Sequence, residues 1–443
     1  MKNRKIYFFQ TVLSGGGIEK VFINLFSHLN ADNYVLIDKI GSQKFFSKYP
    51  ISFDSLNIEY LKKIDSKFNK KNYFLNLLIY NCSHFLKIFF KLRKKINKSV
   101  SNLFLITGED FTNILNILSG NHKKIITLHF NYSSLKNQIK KNLRSLFLNE
   151  LFFKIHQLIY KYLVVKFIYS FSDAVVCVSK DVAEDMIRNW GIRRDRVRVI
   201  YNPIFLEEIR RKSREDLGAY KKLFTDYEVM INVGRLNHGK GQWYLLKFLK
   251  VLKKKHNKLK LVILGDGEMK DFLVEFGKKL GLKVYDYSKD EYNESYDVYF
   301  LGFQENPFKF ISRSKLFLFP SFYEGLPMVL VEALAAGAVI ISSDCRSGPR
   351  EILAPETDFN YETKDVEFAK YGILMPVLDI NNKEANLKLS EAEKKWIEVI
   401  DRMLKDEKLR EKYIKLSNQR AKDFDIENIK KEWETLFEEL EGK

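Results

Sequence analysis

Apolar positions along this chain alternate between two rhythms. Short continuous apolar runs at 5–9, 103–106, 124–128, 174–178 and 197–200 read as buried strands. Between them, 18–29 carries apolar residues at helical spacing (Val21, Phe22, Leu25, Leu29). Two long stretches, 73–98 and 143–170, are rich in Phe, Leu, Ile and Lys. The segment Tyr201-Asn202-Pro203-Ile204 interrupts the pattern. Pro203 has no amide hydrogen and restricts Asn202, so no helix or central strand runs through it.

The alternation then resumes more clearly. Strands are predicted at 229–233, 259–264, 298–301, 316–319 and 338–342. Helices are predicted at 242–255, 268–280, 327–336 and 391–405. Strands alternating with helices imply βαβ units and parallel sheets. The chain therefore reads as α/β, with two Rossmann-like domains facing each other across a cleft. The boundaries are 1–203, 204–425 and a closing amphipathic helix at 426–443 (Ile429, Trp433, Leu436, Phe437, Leu440) that packs back on the first domain.

Size agrees with two domains. The chain has 443 residues, and single cores stop growing near about 250–300. Three cysteines, Cys82, Cys177 and Cys345, are too few and too scattered for a disulfide framework or a zinc site, which fits a reducing compartment. The N-terminus turns polar too soon for a signal peptide, and no run of about 18 uninterrupted apolar residues is present to span a membrane.

Charge changes the picture. Residues 1–200 hold 33 basic and 14 acidic side chains, whereas 201–443 hold 42 of each. The whole net charge of +19 thus sits in the first half, which suits a polyanionic partner. In 73–98 bulky apolar residues end in the cations Lys91, Arg93, Lys94 and Lys95. A basic amphipathic helix of this kind reads as a membrane-surface element.

Candidate chemistry gathers at predicted strand ends. Gly15-Gly16-Gly17 sits between the first strand and a helix, where bare backbone can approach a phosphate. It is not a dinucleotide fingerprint. Arg235 and Lys240 follow the 229–233 strand, as planar fork and point charge suited to a diphosphate. Gly265-Asp266-Gly267 and Gly302-Phe303-Gln304-Glu305-Asn306 follow two neighbouring strands. In Glu324-Gly325-Leu326-Pro327-Met328-Val329, glycine and proline shape a turn whose free amides face an anion. Glu332, five residues into the following helix, is placed for the hydroxyls of a ribose. His129 ends the 124–128 strand, where an imidazole can meet a sugar hydroxyl or developing charge.

Glu324-x7-Glu332, Gly-Arg-Leu-x-x-x-Lys-Gly upstream and Glu-Gly-Leu-Pro between them resemble the retaining glycosyltransferases of family 4, of GT-B fold. Gly-Gly-Gly-Ile-Glu, Val-Ser-Lys at 178–180, Tyr-Asn-Pro at 201–203 and Gly-Asp-Gly at 265–267 also match. The likeness is strongest over 229–353 and weak over 40–100 and 130–170. It implies a second domain that binds a nucleotide-sugar. Arg235 and Lys240 would hold the diphosphate and Glu332 the ribose. Glu324 and the amides of Leu326, Pro327's neighbour Met328 and Val329 would meet phosphate and donor sugar. The loop from Gly302 through Phe303 to Asn306 would frame the base, beside Gly265. Gly16 and Gly17 would close from the first domain, and His129 would lie near the transferred sugar. The first domain would take the acceptor.

No Asp-x-Asp pair precedes the site; the nearest carboxylates, Asp286 and Asp290, fall in a polar loop. Arg235 and Lys240 can neutralise the diphosphate, so no divalent metal and no other cofactor is expected. The resemblance of 343–352 to users of UDP-hexoses or UDP-N-acetylhexosamines favours UDP, with GDP-mannose as the alternative. A basic, aromatic-rich first domain suits a polyprenyl-diphosphate-linked or lipopolysaccharide acceptor at the cytoplasmic face of a bacterial membrane. Two other classes are weighed against this reading. A nucleic-acid-binding protein lacks any zinc-finger, RNP or helix-turn-helix signature here, so nucleic acid is not an expected partner. A non-catalytic sugar-nucleotide-binding subunit is opposed by the presence of Arg235, Lys240, Glu324 and Glu332.

Overall fold

The structure is a computed structural model. It describes Leu29, residues 122–128 and residues 169–442 other than 386–387, together with the strands at 5–10, 32–38, 56–61 and 103–107. The chain divides into two compact units, Met1–Pro203 with Ile429–Lys443, and Ile204–Asn428.

The first unit is built on a parallel sheet. Its strands are β1 (Lys5–Gln10), β2 (Asp32–Asp38), β3 (Leu56–Leu61), β4 (Leu103–Thr107), β5 (Lys123–Leu128), β6 (Ala174–Cys177) and β7 (Val197–Val199). Their order is β3-β2-β1-β4-β5-β6-β7. The chain leaves β1 to one side for β2 and later returns to its other side as β4. This reversal is the doubly wound pattern, whose ligands bind at the strand order's switch point. β2 and β3 are not among the strands the sequence pattern predicts.

The second unit carries β8 (Glu228–Val233), β9 (Leu259–Leu264), β10 (Val284–Asp286), β11 (Val298–Phe300), β12 (Leu316–Phe319), β13 (Ile340–Ser343), β14 (Glu367–Phe368) and β15 (Ile373–Met375). The order is β10-β11-β9-β8-β12-β13-β15-β14. All neighbours are parallel except the short β14–β15 pair. The strands are apolar runs because helices cover both faces: every residue of β9 (LKLVIL) and β12 (LFLF) is buried. The helix Trp243–Leu252 inserts Trp243, Tyr244 and Phe248 into the core, and Phe248 stacks on Trp396 of the helix Glu391–Lys405. That second helix opens with a capping box between Ser390 and Glu393. Glu393 also pairs with the fully buried Lys247, so one carboxylate starts the helix and neutralises a core ammonium.

The closing helix Ile426–Glu441 begins in the second unit and ends in the first. Its stripe Ile429, Trp433, Leu436, Phe437 and Leu440 is buried. Glu439 pairs with Arg198 of β7 at 2.7 Å. At the start, Ile204 and Asp425 form a parallel bridge, with Ile204 N–H donating to Phe424 at 2.8 Å and Ile426 N–H to Ile204 at 2.9 Å.

Candidate nucleotide-sugar site in the second unit

The switch point of the second sheet lies between β8 and β12, since β9 follows β8 on one side and β12 returns on the other. The loops after these two strands carry Arg235, Lys240 and Glu324. They are tied together by backbone: Phe322 N–H donates to Gly239 at 2.9 Å. Gly241, between them, has φ +64°, and a Cβ there would stand 2.5 Å from the Pro320 carbonyl. Only glycine serves both demands.

Lys240 and Glu324 meet across this seam. Nζ lies 2.5 Å from Oε1, with side chains 21% and 12% exposed. The ammonium also sits 5.3 Å above the Phe319 ring. Arg235, by contrast, is 73% exposed, with Glu268 3.7 Å from its Nε. A held lysine and an extended arginine thus share one strand-end ledge. His238 lies between them in the 3-10 turn His238–Lys240 and packs on Trp243 and Phe322. Burial, then the nearby Lys383 charge, holds its pKa below the usual histidine value.

Leu326 and Pro327 are buried and lead into the helix Met328–Ala335. Its N-cap residue, Pro327, has no side-chain donor or acceptor to cap the first turn. Its amino end carries the macrodipole's positive pole, and Glu332 follows at its fifth residue, half-buried. The turn is braced from behind by Ser347 and Gly348. A Cβ on Gly348, at φ +101°, would stand 2.2 Å from Pro327 Cδ and 3.1 Å from the Gly325 carbonyl. Ser347 has φ +67°, a left-handed conformation that serine adopts at a cost. Behind this brace, Arg350 donates to Asp344 (2.5 and 3.1 Å), Glu367 (2.7 and 3.2 Å) and Thr357 (3.0 Å). Burial raises the Asp344 pKa against the pull of that guanidinium.

Beyond β8 the ledge continues over β9 and β11. Gly265 donates its N–H to the Gly302 carbonyl at 2.8 Å, and Gly234 donates to Leu264 at 3.0 Å. A Cβ on Gly265, at φ +130°, would stand 2.0 Å from the Gly234 carbonyl. Three strand-end loops are thus laced backbone to backbone, leaving a bare peptide surface beside Arg235. Phe303, 58% exposed, follows Gly302. Asn306 has a different occupation. Its amide donates to the Lys212 carbonyl (2.9 Å) and Glu215 (2.8 Å), and its oxygen accepts from Phe308 N–H (3.1 Å). The side chain caps the short helix Phe308–Ile311 and fastens it to the end of the helix Leu206–Ser213.

Asp286 requires a correction. It is not in a polar loop but is the buried last residue of β10. Burial opposes its ionisation, yet hydrogen bonds from Lys270 (2.8 Å) and Ser288 (2.9 and 3.1 Å) prevail and lower its pKa. Asp290 accepts from the Asp286 N–H at 2.8 Å. Among the described residues, no three His, Cys, Asp or Glu side chains are grouped to hold a metal ion.

Gly16, Gly17, Lys91, Arg93, Lys94, Lys95 and His129 lie outside the described residues. Tyr287, which the sequence reading did not single out, also faces this edge, as does Asp266 of the Gly-Asp-Gly loop. Tyr287 O–H donates to Asp266 at 3.1 Å. No local motif marks Tyr287; only the placement of β10 beside β11 brings it here.

The family description "Glycosyltransferase Family 4" matches residues 68–208, and "Glycosyl transferases group 1" matches residues 213–420. The chain belongs to glycosyltransferase family 4. Two Rossmann-like units in one chain are the GT-B architecture of this family. Among its relatives is an uncharacterised glycosyltransferase of Methanocaldococcus jannaschii. It is 37% identical over 62% of this chain and 66% of its own length, so that match spans just under two thirds of the relative. A Campylobacter jejuni protein is 27% identical over 99% of both chains; it is named as an α-1,4-N-acetyl-D-galactosaminyltransferase of a GalNAc-containing PP-undecaprenol. Anabaena HepE, solved in complex with UDP, superimposes with a TM-score of 0.66 at 16% identity, covering 98% of this family 4 chain and 99% of HepE.

Proposed function

We propose that this chain transfers a hexose or N-acetylhexosamine from a UDP-sugar to a lipid-linked saccharide, with retention of anomeric configuration. The observation that carries the reading is the paired Lys240–Glu324 beside the extended Arg235, at the switch point between β8 and β12. Breaking the bond between the anomeric carbon and the phosphate oxygen moves a pair of electrons onto the diphosphate. Two cations at that place, Lys240 held by Glu324 and Arg235 free to reach the phosphate, stabilise the leaving group. The acceptor hydroxyl attacks from the same face, and its proton passes to the departing phosphate oxygen. Glu332 takes the ribose hydroxyls. The amides of Met328 and Val329 and the turn Gly325–Leu326–Pro327 meet phosphate and sugar, with Glu324 oriented by Lys240. Gly265 and Phe303 border the base.

HepE's complex with UDP supports the choice of nucleotide, and the Campylobacter protein's name supports a diphosphate-linked lipid acceptor. Arg235 and Lys240 do the neutralising work of a divalent ion, so turnover persists in EDTA. Lys91, Arg93, Lys94 and Lys95 rest on the anionic inner face of the cell membrane, adding about 1 kcal/mol each. Among the described residues no helix is long and apolar enough to cross a membrane.

The test is UDP release from a panel of UDP-sugars with a polyprenyl-diphosphate-linked saccharide, in EDTA. Arg235→Ala is expected to lower turnover at least tenfold. Release that depends on added metal, turnover with GDP-mannose alone, or a trapped covalent glycosyl-enzyme would each overturn the corresponding part. Vesicle binding unchanged after replacing Arg93–Lys95 would remove the membrane contact.

A further inference from the structure

The bare ledge described above has a direction. Its phosphate end is fixed by Arg235, Lys240 and the start of the helix Met328–Ala335, at β8 and β12. Neighbouring strands lie about 4.8 Å apart, so the ends of β9 and β11 extend the ledge by no more than about 10 Å beyond β8, as far as the Gly302 that Tyr287 covers. On the donor-site reading proposed above, a nucleoside held by its phosphates at β8 lays its base along that extension, toward Gly265 and Phe303. The extension ends at Tyr287, which leaves β10 with its N–H bound to the Phe300 carbonyl of β11 at 3.1 Å.

The Tyr287 ring is held by Gly302, Asp266 and Lys270. The hydroxyl end of the ring lies over Gly302: a Cβ there would stand 2.8 Å from two of its ring carbons. The hydroxyl donates to Asp266 at 3.1 Å, in the loop after β9. Lys270 Nζ sits 4.5 Å from the ring centroid and is itself held by Asp286 and Ser288, at 2.8 and 2.7 Å. Asp266 in turn accepts the Gly267 N–H at 2.8 Å. The ring therefore spans the ledge from β10 across β11 toward the β9 loop, and swinging it aside breaks its contacts with Asp266 and Lys270. It remains 40% exposed, so its outer edge faces the space above the ledge.

We propose that Tyr287, locked by Asp266 and Lys270 over Gly302, is a wall that sets the length of the base and selects a pyrimidine nucleotide over a purine one. This inference rests on the donor-site reading given above. A pyrimidine ends within the ledge. A purine carries a second fused ring along the same line and meets the tyrosine. Discrimination by size in such a pocket is worth about 10- to 200-fold. It acts without any hydrogen bond to the base.

Isothermal titration with UDP and GDP on the full chain tests the wall. The wild type is expected to bind UDP at least tenfold more tightly than GDP. Tyr287→Ala is expected to narrow that ratio by about tenfold, through tighter GDP rather than weaker UDP. Tyr287→Leu, shorter but still covering Gly302, is read in parallel should the alanine variant not fold, and is expected to narrow the ratio in the same sense. Tyr287→Phe keeps the ring and should keep the ratio. An unchanged ratio in a folded Tyr287→Ala or Tyr287→Leu overturns the wall while leaving the donor site standing. Equal binding of GDP and UDP by the wild type does the same. Binding of neither nucleotide overturns the donor site and the wall with it.

Discussion

Lys240 cannot be removed without leaving Glu324 uncompensated, so its phosphate contact and the carboxylate's repulsion are separated only by changing both residues. The two side chains are 2.5 Å apart and mostly covered. In Lys240→Ala the carboxylate stays, now uncompensated, beside the place proposed for the diphosphate. A unit charge about 6 Å from a phosphate charge interacts by about 3 kcal/mol at an effective dielectric of 20. Solvent and salt reduce this, so a repulsion of about 1–2 kcal/mol is a reasonable expectation. The lysine's own attraction is of similar size and opposite sign. The repulsion is already present in the wild type, so Lys240→Ala loses the attraction alone, about 1–2 kcal/mol, or about tenfold in UDP affinity. Lys240→Ala/Glu324→Gln removes the repulsion as well and should recover about tenfold. Glu324→Gln alone should tighten UDP by about tenfold, because the lysine stays and the opposing carboxylate is gone. The assay is titration calorimetry with UDP at two salt concentrations, completing a double-mutant cycle. If the double variant binds UDP no better than Lys240→Ala, the carboxylate does not face the phosphate and the argument fails.

Three further outcomes follow from the same geometry. Gly265→Ala forces a Cβ to 2.0 Å from the Gly234 carbonyl at a φ of +130°. It should destabilise by about 1–3 kcal/mol or more, seen as a lower Tm, and should abolish the added stability that UDP confers. Glu332→Ala should cost about 10- to 100-fold in affinity for UDP but not for 2′,3′-dideoxy-UDP, read by competition, since a charge-assisted hydrogen bond is worth about 1.5–3 kcal/mol. Asp401 supplies a pH dependence. Burial opposes its ionisation, but hydrogen bonds from His256 and Lys405 prevail and bring its pKa down to about 2. Its contribution is fully present above the ordinary aspartate pKa and is lost as pH falls toward 2. Acid titration of Asp401→Asn should therefore show a shallower loss of Tm between pH 4 and 2 than the wild type.

The parts of this fold that sequence revealed are those in which one segment carries its own evidence. β12 is a continuous apolar run and β9 is one broken only by Lys260, and their observed limits, Leu259–Leu264 and Leu316–Phe319, are those of the runs themselves. The helix Glu391–Lys405 starts where its capping box stands. β10 and β15, three residues each, are shorter than any reliable period, so they were not predicted. β2, Asp32–Asp38, mixes polar ends with a short apolar centre and was missed for a similar reason. The helix Glu407–Ala421 buries only scattered residues, among them Arg410, Tyr413 and Arg420, so its apolar stripe is weak. At the site, Arg235, Lys240 and Glu324 could be found because each ends or follows a legible strand. Tyr287 could not, because its partners Asp266, Lys270 and Gly302 are brought to it by strand order alone. Asp286 was misplaced because the Lys270 that neutralises it stands on a different element.

The closing helix has a consequence for the order in which this protein can be completed. The segment Ile429–Lys443 belongs to the unit whose other residues are Met1–Pro203. Between the two pieces the ribosome must deliver all of Ile204–Asn428. The second-made unit therefore has its whole chain in hand before the first-made one does. Until Trp433, Phe437 and their neighbours emerge, the nascent first unit lacks an apolar helix that it buries in the finished molecule. The basic half of the chain is thus the last to be sealed, and a stop codon a few turns early would spare the Ile204–Asn428 unit while leaving the other open.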